Sequence, residues 1–118
     1  MPGIITTALG NITMTEDLVA NIAGYAAMEN YGIVGMNNKT AGDAILQLVG
    51  GDSRKRGVKV TFQSDGHEVD IDLFVTLIYG VSLPAVAQNT IANVRYRVSE
   101  YTGLSVHNVN IFVESVRV

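Results

Sequence analysis

Cysteine and tryptophan are both missing from this chain, and proline occurs only twice. Without cysteine there is no disulfide framework and no thiolate chemistry, whether nucleophilic or metal-binding. Lys and Arg together number 8 in 118 residues, against 11 Asp and Glu, giving a net charge of −3. That balance argues against broad electrostatic capture of nucleic acid or of an anionic membrane, which needs a dense basic surface. No run approaches the roughly 20 apolar residues of a spanning helix. The first residues, MPGIITTALGNI, carry no basic region, long apolar run or cleavage pattern, so a secretory signal is not expected. These absences lead to the expectation of a soluble cytoplasmic protein.

What is present is apolar. Hydrophobic residues make up 47% of the chain and charged ones only 16%, a balance suited to a globule that buries much of itself or self-associates. The length fits a single domain, residues 1–118, built around one core. No internal repeat or low-complexity linker interrupts it.

Residues 4–13 read as a short strand, and Thr13 or Thr15 can cap the helix that follows. With Thr13 as the cap, Glu16 completes a capping box. Leu18, Ile22, Tyr25 and Ala26 then recur at helical spacing over 16–29, before Asn30-Tyr31-Gly32 stops the helix. A second short helix is expected from Thr40 to the Gly50-Gly51 pair, followed by a loop with Arg54, Lys55 and Arg56.

Two alternating segments come next. Val58, Val60 and Phe62 alternate with Lys59, Thr61 and Gln63, and Val69, Ile71 and Leu73 with Glu68, Asp70 and Asp72. Asp65-Gly66 between them is a two-residue hairpin signal. Folding there pairs Phe62 with Val69, Val60 with Ile71 and Val58 with Leu73, while Lys59 meets Asp72 and Thr61 meets Asp70. Turn, apolar and charge pairing select one register. The second strand runs on through Val75, Leu77 and Tyr79. Its other face changes from carboxylates to Phe74, Thr76 and Ile78, so cover is expected on both faces there.

After Gly80, Ser82 caps a helix with Pro84 in its first turn and a stripe of Leu83, Ala87, Ile91, Val94, Val98 and Tyr101. Thr102-Gly103-Leu104 reads as a glycine C-cap. A last strand spans about Val106 to Val118. Val116 and Val118 fall out of phase with Val109, Ile111 and Val113, so a bulge is expected near Glu114-Ser115. The strand–helix–strand unit requires a crossover, which makes the last strand parallel to the one before the helix. The fold class is therefore α/β of the α+β kind: a mixed sheet of order β-α-α-β-β-α-β with helices mainly on one face.

Several blocks in this order carry a family pattern: Gly10-Asn11-Ile12; Ile22-Ala23-Gly24-Tyr25-Ala26-Ala27-Met28-Glu29; Gly32-Ile33-Val34-Gly35-Met36; Arg56-Gly57-Val58-Lys59-Val60; Val69-Asp70-Ile71-Asp72-Leu73; Tyr79-Gly80-Val81-Ser82-Leu83-Pro84; Tyr101-Thr102-Gly103-Leu104; and Val109-Asn110-Ile111. From about residue 10 to the end the chain resembles the bacterial alkaline-shock (general-stress) protein family. That resemblance implies a non-enzymatic protein of cell-envelope homeostasis and the general stress response. It implies a homo-oligomer, and peripheral placement at the inner face of the membrane through a membrane-associated protein partner, as in some relatives. The charged terminal extensions of longer relatives are lacking, so the chain resembles the short, domain-only kind. The resemblance brings no catalytic, cofactor-binding or metal residue.

The residues themselves offer little chemistry. His67, Glu68, Asp70 and Asp72 could suggest a metal, but same-face residues on a strand stand roughly 6.5–7 Å apart, and a solvated strand face explains them. His67 and His107 have no nucleophile motif beside them. Gly50-Gly51-Asp52-Ser53-Arg54-Lys55 lacks P-loop spacing. Gly32-Ile33-Val34-Gly35, with Lys39 downstream, is a GxxG between two helices. Its alternative reading is the nucleic-acid clamp of a KH-like RNA-binding protein. The apolar middle pair and the acidic chain argue against that. Phe74, Ile78 and Phe112 are the candidate interface: by alternation they lie opposite the helix-covered face and would form an apolar patch for self-association or partner docking.

Overall fold

The computed structural model describes residues 3–36 and 57–118. The expected short helix from Thr40 and the Arg54-Lys55-Arg56 loop lie outside the described residues.

The chain opens on two strands rather than one, β1 (Gly3–Thr7) and β2 (Gly10–Met14), paired antiparallel about Ala8-Leu9. The Thr7 hydroxyl accepts from the Leu9 N–H (3.2 Å) and donates to the Gly10 carbonyl (2.9 Å), which closes the turn locally. Helix α1 (Glu16–Met28) follows, capped by Thr15, whose hydroxyl accepts from the Leu18 N–H at 3.2 Å. Thr13 is instead committed to β2 opposite Ile4, so the capping box does not form. At the other end the Asn30 amide donates to the carbonyls of Ala26 and Ala27, adding to the backbone N–H bonds those carbonyls accept from Glu29 and Asn30.

A strand the periodicity did not reveal, β3 (Ile33–Met36), comes next. Then β4 (Val58–Phe62) and β5 (Glu68–Ile78) pair in the anticipated register, from Val58 opposite Leu73 to Phe62 opposite Val69. The turn differs from the two-residue reading. Gln63 and Glu68 still pair, and only Gly66 adopts positive φ (+77°), while the Asp65 carboxylate accepts from the His67 N–H at 2.9 Å. Helix α2 (Leu83–Thr102) is capped by Ser82 and ends on left-handed Gly103 (φ +75°).

The last strand, β6 (Ser105–Arg117), runs parallel to β5, as the crossover requires. Its register shifts twice. One shift leaves Glu114 as the extra residue, at the place the out-of-phase valines mark, and the other leaves His107. β5 is the central strand: β6 flanks it along its whole length, while β4 and β3 share its other side.

Burial along β5 alternates strictly. Val69, Ile71, Leu73, Val75 and Leu77 are all within 1% of complete burial, and Asp70, Asp72, Phe74 and Thr76 are only partly covered. Both helices pack on the Leu73 face, joined in one core by Val58, Val60, Phe62, Val106 and Val109. The expected cover of both faces at Phe74–Ile78 is not found among the described residues.

The expected stripes hold in part: Ala26, Val94 and Val98 are buried and Ile22 and Ile91 pack against the core, while other members of each stripe stay outside. α1 buries Val19, Ala20, Ala23, Gly24, Ala26 and Ala27 and leaves Leu18 and Tyr25 exposed. α2 buries Val86, Thr90, Val94, Val98 and Thr102, with Leu83 and Tyr101 exposed. The small residues of α1 let it lie close to α2 and the sheet. Thr90 and Thr102 are tolerated in the core because each hydroxyl donates to the carbonyl four residues back, at 2.7 and 2.6 Å.

Candidate interaction surface

The helix-free face of the sheet is built by rows of side chains that face each other across β5 and β6. In the first row the Asp70 carboxylate meets His107 Nδ1 at 3.1 Å and accepts from the Gln63 amide. In the next the Asn110 amide donates to Asp72 at 3.0 Å. Phe74 and Phe112 then stack, ring centroids 4.9 Å apart and planes 13° from parallel. Beyond them the hydroxyls of Thr76 and Ser115 lie 2.6 Å apart, and Ile78 pairs with Arg117. Across the β5–β6 register like faces like in several rows: Asp72 and Asn110, Phe74 and Phe112, Thr76 and Ser115.

These rows differ in what they still lack. The side chains of the polar rows are hydrogen-bonded to one another across the strands. The aromatic row keeps unburied area: Phe112 is 46% exposed and Ile78, on the same face of β5 as Phe74, 38%. The three residues picked out by alternation therefore do share this face, with Phe74 and Phe112 in contact and Ile78 at its end. β6 also borders it, and no described strand pairs with its far side. On the opposite face of β6, in register with Val75 and Leu77, Val113 and Val116 are exposed as well, because full burial on β6 stops at Val109.

The other candidates resolve differently. Gly32 and Gly35 do not form an exposed loop between helices. Gly32 is buried with φ +99°, and its carbonyl accepts from the Ile78 N–H at 2.8 Å, while Gly35 pairs with Thr76 inside β3. The backbone on both sides of Ile33-Val34 is thus engaged with β5, and Lys39 lies outside the described residues. His67 places Nδ1 2.9 Å from the Ile4 carbonyl and so ties β1 to the β4–β5 turn. With His107 on Asp70, each histidine has a structural partner. Among the described residues no three His, Asp or Glu side chains group as a metal site, and no helix is long and apolar enough to cross a membrane. What the face offers is apolar contact between fixed polar rows.

Comparison with known proteins agrees with this fold-wide pattern. The profile of the alkaline shock protein 23 family, of cell envelope-related function, matches residues 4–118. The uncharacterized protein YloU of Bacillus subtilis is 36% identical over 115 residues, which is 97% of this chain and 94% of that protein. YqhY of the same organism, also uncharacterized, is 31% identical over 94% of this chain and 80% of its own length. The uncharacterized Streptococcus pyogenes protein Spy1614 is 30% identical, over 97% of this chain and 93% of its own. No solved structure matches. The chain thus belongs to the alkaline shock protein 23 family, whose function is related to the cell envelope.

Proposed function

We propose that this protein is a non-catalytic interaction module of the cell envelope and general stress response. It acts in the cytoplasm by self-association and by docking a protein partner on the Phe74–Phe112 face. A membrane-associated partner would hold it at the inner face of the membrane. The observation that carries this reading is the stacked aromatic pair, with Phe112 46% exposed and Phe74 partly covered, between rows whose polar side chains bond across the strands. An apolar centre ringed by polar groups is the anatomy of a docking patch, where burial of the centre supplies the affinity. The cell envelope-related family function supports the setting.

The test is a Phe74→Asp, Phe112→Asp double variant in sedimentation velocity, with circular dichroism to verify the fold. The reading expects a folded chain that has lost its native assembly. A folded variant that sediments like the parent protein overturns it.

A further inference from the structure

The outer edge of β6 is a row of backbone groups that the chain itself leaves open. Along a strand, successive residues turn their N–H and C=O to alternate sides. In β5 the Phe74 N–H donates to the Gly57 carbonyl and the Ile78 N–H to the Gly32 carbonyl, at 2.8 Å each. Even-numbered residues of β5 thus bond toward the β3 and β4 side. The odd-numbered series bonds toward β6, as the Tyr79 N–H does to the Arg117 carbonyl at 2.8 Å. A residue in a parallel pair bonds to the two neighbours of its register partner. Asn108, Asn110 and Phe112, in register with Asp70, Asp72 and Phe74, therefore bond to β5. Val109, Ile111 and Val113 turn their N–H and C=O outward.

One end of this edge is closed. Val106 belongs to the same outward set, and its carbonyl, with that of His107, accepts from the Arg95 guanidinium of α2. The closure stops there. Among the described residues nothing bonds the outward backbone groups of Val109, Ile111 or Val113. The register shifts at His107 and Glu114 bound a regular stretch, residues 108–113. Sheets commonly blunt an open edge with lysine or proline, and β6 has neither. Its outward-bonding residues are instead β-branched, and Val113 is 38% exposed, beyond the cover that buries Val109.

We infer that this edge takes up an extended segment of a partner protein as an added strand, antiparallel to β6 along residues 108–113. The inference rests on the reading of the chain as a docking module, and it assigns the partner's form and a site beside the aromatic face. Only extended backbone presents donors and acceptors in the matching row. Side chains of the segment then alternate, apolar ones beside Ile111 and Val113 and the others beside Asn110 and Phe112. Charge separates a partner from a second copy. Two β6 strands paired antiparallel about Ile111 would bring Arg95 of each copy, seated on Val106 and His107, close to Arg117 of the other. Like charges at both ends disfavour that pairing. Arg95 bonds two carbonyls and, among the described residues, no carboxylate. A segment with an acidic residue at its C-terminal end supplies one.

Amide hydrogen exchange, read residue by residue by nuclear magnetic resonance, tests this with peptides selected from a random linear dodecapeptide library displayed on phage. In the protein alone, the Ile111 and Val113 amides should exchange about a hundredfold faster than those of Asn110 and Phe112, which bond to β5. Enriched peptides should alternate apolar residues with period two, carry a carboxylate near the C-terminus, and slow both open amides about tenfold or more. Val113→Pro deletes one outward donor and spares every bond to β5, so the fold should hold and peptide affinity should fall about tenfold or more. Val113→Thr, of similar shape and with its N–H intact, should bind as the parent does. Should the proline variant fail to fold, Val113→Lys sets a charge on the edge and should give the same loss. A library without alternating binders, peptides that bind Val113→Pro as tightly as the parent, or peptides that leave both amides exchanging freely would each overturn the inference. So would amides already protected in the protein alone: at all concentrations the chain covers its own edge, and only at high concentration a second copy does. The docking reading fails separately. A folded Phe74→Asp, Phe112→Asp variant that sediments like the parent overturns that reading, whereas protection at Ile111 and Val113 reports on the edge alone.

Discussion

Alanine substitution along β5 and β6 should give a sawtooth in stability whose small teeth grow with protein concentration. Leu73 is fully buried at the centre of the core, so Leu73→Ala removes transfer energy and leaves a cavity, costing about 3 kcal/mol within a usual range of roughly 2–5. Phe112 is 46% exposed. Full burial of a phenylalanine is worth about 1.5–3 kcal/mol, so half of that is about 1. The stack on Phe74 adds roughly 0.5–1.5 kcal/mol, and Phe112→Ala should therefore cost about 2 kcal/mol in the isolated chain. A double-mutant cycle with Phe74→Ala should return about 1 kcal/mol for the stacking itself. The measurement is urea unfolding followed by far-ultraviolet dichroism at two protein concentrations at least a hundredfold apart. If a second molecule covers the Phe74–Phe112 face, association stabilises the folded state by mass action, and Phe112→Ala becomes costlier at the higher concentration. Leu73→Ala should cost the same at both. Should Phe112→Ala cost as much as Leu73→Ala at the lower concentration, where the chain is alone, the face is covered from within and offers no docking surface.

Two further substitutions test the local reasoning. Thr15→Ala should lower stability by about 1 kcal/mol through loss of the α1 cap, a fall of roughly 4 °C in melting temperature, while Thr13→Ala stays within about 0.5 kcal/mol; the reverse order would restore the capping-box reading. Gly32→Ala should cost about 2–4 kcal/mol, since its φ of +99° strains any side chain and the new Cβ would lie 2.8 Å from a methyl of buried Val86. A change under about 1 kcal/mol in chemical denaturation would contradict that geometry.

The features legible in the sequence were those whose cause is local. The β4–β5 register follows from alternation on two adjacent segments, and the Glu114 bulge from valines that slip phase within one strand. The Gly103 C-cap needs only a glycine followed by a hydrophobic residue. β3 has no such local mark. Ile33-Val34-Gly35-Met36 is too short to alternate, and it becomes a strand because β5 outruns β4, leaving Val75–Leu77 to be paired. That demand comes from a strand distant in sequence, and it also removes the GxxG from any clamp. The candidate face was legible for the opposite reason: Phe74, Ile78 and Phe112 sit on strands, where side-chain direction follows from parity alone.

The helices failed for a reason that bears on function. Reading an apolar stripe at helical spacing selects Leu18, Ile22, Tyr25 and Ala26 as the inward face of α1; Ala26 is buried and Ile22 packs on the core, but the rest of the packed face is Val19, Ala20, Ala23, Gly24 and Ala27. Two helices sharing one side of a narrow sheet gain more from close approach than from large side chains between them, because dispersion falls off steeply with distance. Small residues therefore win the interior. On a helix of ~3.6 residues per turn Leu18, Tyr25 and Met28 are then left largely outside, at 43%, 53% and 43% exposure. A stripe that would look like core if read alone thus becomes, once the true core is seen, a surface that a second molecule can still cover. The same logic separates the two sheet faces: Leu73 uses its area within the chain, and Phe112, the residue after Leu73's cross-strand partner Ile111, keeps nearly half of its own exposed.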